Sequence, residues 1–126
     1  MKPQLILVHG MWSQANVWDD WLPGLHAAGY ATTAVNLPGH EPGQPDAAVA
    51  GLGLAEYTEA VLTEVRRHDH PVLIGHSMGG LIAQQAAARA GLAGLVLISS
   101  AVPAPLFPQR PVTQPGTLRA VSHPLR

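Results

Sequence analysis

The chain has 126 residues, 47% of them apolar and 12% charged, with a formal charge of −1 and no cysteine. This is the balance of one globular domain, with no disulfide or thiol chemistry and no electrostatic reason to expect nucleic acid or an anionic membrane as partner. No basic stretch leads into a long apolar run, so no signal peptide and no membrane span is expected, and the missing cysteines fit a reducing, cytoplasmic location. Residues 5–8, Leu-Ile-Leu-Val, form a continuous apolar run ending at His9-Gly10, the pattern of a strand buried on both faces. Trp18, Trp21, Leu22 and Leu25 then fall on one helical stripe; Pro23 places the start of that helix close to itself, and Gly29 ends it.

Residues 30–37 read as a second strand, Pro38-Gly39-His40 as the turn leaving it, and the Gly-, Pro- and Ala-rich residues 41–53 as a loop. Leu54, Tyr57, Val61 and Val65 resume a helical stripe, with Arg66 and Arg67 at its end, where positive charge suits the helix dipole. Pro71 introduces a strand over 72–75, a helix follows over 81–90, and 95–99 is a further short apolar strand. The order β-α-β-α-β-α-β with short connections predicts an α/β fold, a parallel sheet with helices on both faces. Six prolines in the last 24 residues forbid a long regular element there.

Gly75-His76-Ser77-Met78-Gly79 is the segment with most chemical content. A serine between a strand and a helix, with glycine two residues to either side, sits at the apex of a turn that closes only past small neighbours. Its side chain is held above the sheet edge, over a helix N-terminus that favours developing negative charge. Such a nucleophile requires a base, and the base an orienting acid. All eight Asp and Glu residues, the last of them Asp69, precede Ser77, and His123 is the only histidine after it.

The other histidines read as structural. His9 orders the loop that follows it, His40 fixes a turn, and His76 supports the pocket from the far side of the serine turn. His68 and His70 flank Asp69 at a helix end, where a spacing of two aims the rings apart, so no metal site is expected. The only lysine is Lys2 and no Gly-x-Gly-x-x-Gly follows the first strand, so neither a P-loop nor a dinucleotide fingerprint is present.

Leu-Val-His-Gly at 7–10, Trp12 and Trp18, Val-Asn-Leu-Pro-Gly-His at 35–40 and Gly-His-Ser-Met-Gly-Gly at 75–80 together resemble the α/β-hydrolase family, in its small serine-esterase form. The resemblance covers about residues 4–102 and implies a partial α/β-hydrolase fold, from the family's third strand to its sixth. It implies that Ser77 attacks the acyl carbon of a small-molecule ester, with no cofactor and no metal. It implies that the backbone N–H groups of Met11 and Met78 form the oxyanion hole. Asn36 stands where many relatives carry Asp, at a position that is usually structural.

The family places its acid and histidine after later strands, so the chain is expected to be truncated before them. Residues 1–102 would then be the partial hydrolase domain, and 103–126 a proline-rich segment beginning a cap region. An alternative is a non-catalytic half-domain that works by association, because the strand at 95–99 falls at the sheet edge with no charge or proline to blunt it.

Overall fold

The computed structural model describes residues 2–103; of the proline-rich segment expected over 103–126, all but Pro103 lies outside the described residues. Four parallel strands form one sheet: β1 (Leu5–Val8), β2 (Thr32–Val35), β3 (Val72–His76) and β4 (Gly94–Ile98), in the order β2-β1-β3-β4. The helices between them are α1 (Leu22–Ala27), α2 (Leu54–Val65) and α3 (Met78–Ala87). The chain runs from β1 outward to β2, then crosses back to β3 on the opposite side of β1. With right-handed crossovers this reversal puts α1 on one face and α2 and α3 on the other, as the sequence predicts.

Side-chain alternation shows the same two layers. Ile6, Val8 and Leu73 pack against Tyr57, Val61, Leu62 and Val65 of α2 and Ile82, Ala83 and Ala86 of α3. Leu5, Leu7 and Ile74 face the other way, onto Trp18, Leu22 and Leu25. Every residue of β1 is buried, so the uninterrupted apolar run at 5–8 is that of a central strand covered on both sides.

Several element boundaries differ from expectation, four of them in ways that bear on the fold. α1 begins at Leu22 with Pro23 in its first turn, where the missing N–H is no loss, and the two upstream tryptophans lie outside it; Trp18 closes a short 3-10 turn, Ala15–Trp18. β2 is only four residues long, because it pairs with nothing beyond the length of β1. Within the expected loop 41–53 there is a second 3-10 turn, Asp46–Val49. The helix after Ser77 begins at Met78, three residues earlier than its apolar stripe suggests.

That early start depends on glycines. A β-carbon at Gly75 would strike the Gly79 carbonyl, and one at Gly79 would strike the carbonyls of Val8 and His9. α3 therefore packs its first turn directly on the ends of β1 and β3, in a space that admits only backbone. Glycine's low helix propensity hides this from a stripe-based reading.

Candidate active site

The reversal in strand order opens a crevice at the carboxyl ends of β1 and β3, the place where open α/β sheets receive ligands. Ser77 stands on the β3 side of it, between the last residue of β3 and the first of α3. Its backbone is at φ 55° and ψ −121°, a region that L-residues avoid and that costs on the order of 1–3 kcal/mol to hold. Three hydrogen bonds fix it there. The Ser77 N–H donates to Ile98 O (3.2 Å), while the N–H groups of Gly80 and Ala101 both donate to Ser77 O, each at 3.0 Å.

Across the crevice, Gly10 abuts the serine. A β-carbon on Gly10 would lie 3.2 Å from Ser77 Cβ and 3.6 Å from Ser77 Oγ, so the loop leaving β1 runs against the side chain of Ser77. Met11, the next residue, is 42% exposed, and its amide makes no turn or loop hydrogen bond among the described residues. Met78 is the first residue of α3, so its N–H is one of the first-turn donors that have no acceptor within the helix.

The β1 loop is held from the side of β2. His9 is fully buried; its Nδ1–H donates to Gly10 O at 2.7 Å, and its Nε2 accepts the Leu37 N–H at 3.1 Å. Those two bonds together require the neutral Nδ1–H tautomer. Burial lowers the pKa of His9, the hydrogen bond to Gly10 opposes that shift, and the nearby His40 adds to the lowering. Asn36 Oδ1 accepts the Ala15 N–H at 2.8 Å and so anchors the far end of the same loop, the structural part expected of it. His40 is buried beside His9, with ring centroids 5.3 Å apart, and its Nδ1 meets Pro38 O at 3.2 Å.

His76 differs from expectation. It is exposed, lining a largely apolar cavity of about 240 Å³ with Val17, Trp18, Trp21 and Ile98, on the α1 face of the sheet. His76 follows Ile74 by two residues on β3 and so shares its face, the one covered by Trp18 and Leu22. On that face, among the described residues, only α1 and the 3-10 turn before it supply cover, so His76 faces open space. The Asp69–His70 pair, 2.7 Å apart, is also exposed, and no cluster of metal-ligating side chains occurs among the described residues. His123 lies outside the described residues.

No histidine or carboxylate among the described residues is hydrogen-bonded to Ser77 Oγ; His9 has both ring nitrogens engaged elsewhere. The contacts of Ser100, Ala101 and Gln84 around the serine turn had no motif to announce them. Their one sequence signal is that Gln84 follows Gly80 by four residues, on the same side of α3.

The family model described as the alpha/beta hydrolase family matches residues 5–126. A pyrethroid hydrolase of Sphingobium wenxiniae is 30% identical over 117 residues, covering 89% of this chain and 41% of that protein. A pimeloyl-[acyl-carrier protein] methyl ester esterase of Edwardsiella ictaluri is 36% identical over 86 residues, covering 68% of this chain and 31% of that protein. The crystal structure of a pyrethroid hydrolase from Sphingobium faniae superimposes with a TM-score of 0.67 at 30% identity, 86% of this chain matching 47% of that one. The chain thus spans less than half the length of each of these relatives.

Proposed function

We propose that the chain, which belongs to the alpha/beta hydrolase family, is the nucleophile-bearing part of an esterase-type serine hydrolase. Ser77 Oγ attacks the carbonyl carbon of a small-molecule ester, the ester C–O bond breaks with release of the alcohol, and water then hydrolyses the acyl-serine to the free acid and Ser77. The oxygen that becomes negative in the tetrahedral intermediate is received by the N–H groups of Met11 and Met78, each worth about 3 kcal/mol of transition-state stabilisation. In this reading acyl transfer needs no metal and no cofactor. The acceptor for the Ser77 proton lies outside residues 2–103. The pyrethroid and methyl-ester activities named for the relatives support an ester substrate without fixing its acyl or alcohol part.

The observation that carries this reading is the conformation of Ser77. A non-glycine residue held at φ 55°, at a strand–helix junction and in contact with a second backbone loop, is a strained residue kept for its side chain. Hydrolysis of p-nitrophenyl acetate by the 126-residue chain and by Ser77→Ala tests it. Any hydrolysis above the buffer rate is expected to be lost in the variant with its fold intact; hydrolysis that persists above the buffer rate in the variant contradicts the proposal.

A second reading has its own observation. Among the described residues β4 is an edge strand, whose Leu95, Val96 and Leu97 are 38–45% exposed, with no charge among them. The opposite edge, β2, carries Thr32 and Thr33, both hydrogen-bonded to neighbouring side chains. An apolar, unblunted edge is the kind that pairs with another chain, so the domain acts in association, by a second copy or a complementing polypeptide. Localisation in the cytoplasm remains part of the proposal; no helix among the described residues is long and apolar enough to cross a membrane.

A further inference from the structure

The strained turn at Ser77 is braced by a small polar latch, and the structure assigns Gln84 and Ser100 as the residues that close it. This inference rests on Ser77 being the nucleophile. Past the end of β4 the chain turns sharply at Ser99, itself at φ 45°, and returns over the first turn of α3. There the Ala101 N–H donates to Ser77 O at 3.0 Å, the bond that ties the post-β4 segment to the serine backbone. The carbonyl of the same residue, Ala101, accepts the Ser100 hydroxyl at 2.7 Å and Gln84 Nε2 at 3.2 Å, while Gln84 Nε2 also donates to Ser100 Oγ at 3.1 Å.

The triangle has one consistent assignment. A backbone carbonyl only accepts, so the Gln84 amide must present its nitrogen to it, and the Ser100 hydroxyl must point the same way. The latch also needs a seat. Gly80, one helical turn before Gln84 on α3, supplies it, because a β-carbon there would collide with the Ser100 side chain. Gly80 and Gln84 thus form one stripe of α3 that receives Ser100 and Ala101. Ser77 is then held by its N–H from β4 and by its carbonyl from the segment that follows β4. The Gln84 side chain hydrogen-bonds Ser100 and Ala101 and not Ser77; it acts through Ala101 and is a positioning residue. A strained conformation persists only where its surroundings over-determine it, and this latch is the side-chain part of that constraint.

The test uses the full 126-residue chain, Gln84→Met, which keeps length and loses both donors, and Ser100→Ala. The first readout is amide hydrogen exchange by NMR. The Ala101 and Ser77 amides are expected to exchange at least about tenfold faster in both variants, with the amides of β1 and α2 unchanged. Unchanged exchange at Ser77, or equal acceleration at every amide, overturns the proposal. Should Gln84→Met fail to fold, Ser100→Ala decides alone. The second readout is modification of Ser77 by a fluorophosphonate. Its maximal rate is expected to fall about tenfold with the half-saturating concentration unchanged, a split that loss of stability alone does not produce. Faster exchange with an unaltered modification rate overturns the positioning role. No modification of Ser77 in the parent chain overturns the nucleophile reading and the positioning role with it, while the exchange data still report whether the latch holds the turn.

Discussion

His9 shows how one buried side chain can shape a site without touching substrate. Its two ring nitrogens join the loop after β1 to the loop after β2, and they can do so only while the ring is neutral. Burial sets its folded pKa below the unfolded value of about 6.5, so the native state binds fewer protons than the unfolded one. Stability contributed by this group is therefore complete above that unfolded value and is lost as pH falls below it, down to the folded pKa, by up to about 1.4 kcal/mol per pH unit. Thermal unfolding from pH 7.5 to 5.5 is expected to show a falling midpoint that flattens in His9→Phe, although that variant starts lower; parallel curves contradict the assignment. The strand-to-helix turn at Ser77 and the ordering role of His9 were legible in the sequence because each lies in a short motif next to a strand end. The exposure of His76 was not, because it depends on how little of the α1 face is covered, which no local pattern encodes.

At the scale of elements, glycine carries most of the information and has two opposite meanings. At Gly75 a β-carbon would meet the backbone of Gly79, which cannot yield, since α3 is packed there on two strand ends. Gly24, in the middle of α1, has nothing within 4 Å of the same position. Gly75→Ala is expected to destabilise the chain by more than about 2 kcal/mol, an overpacking cost, while Gly24→Ala is expected to stabilise it by about 0.5–1 kcal/mol through helix propensity and a less flexible unfolded state. Urea unfolding of the two variants separates these effects, and a Gly75→Ala midpoint equal to that of the parent contradicts the close packing of α3. The four strands and three α-helices of the described residues could be placed from apolar period and punctuation. The start of α3 could not, because its first turn is chosen by fit against β1 and β3 and not by propensity.

For the whole molecule, sheet order decides both where the crevice lies and which surface is left over. The reversal between β1 and β3 brings Gly10 to Ser77 although 67 positions separate them in sequence, and it leaves β4 outermost among the described strands. The four-stranded order was foreseeable once the resemblance to hydrolases was in hand; the braced serine turn, which needs contacts among α3, β4 and residues 99–101, was not. If β4 pairs with another chain, sedimentation of the parent chain is expected to show concentration-dependent association that Val96→Lys abolishes, and a monomer at every concentration contradicts pairing through that edge. The central claim is that this fold presents Ser77 as a nucleophile. Its most direct measurement is the mass of the chain after fluorophosphonate treatment, followed by peptide mapping of the adduct. A single adduct is expected, located on Ser77 and absent from Ser77→Ala; an unmodified Ser77, or an adduct that survives in Ser77→Ala, contradicts its presentation as a nucleophile.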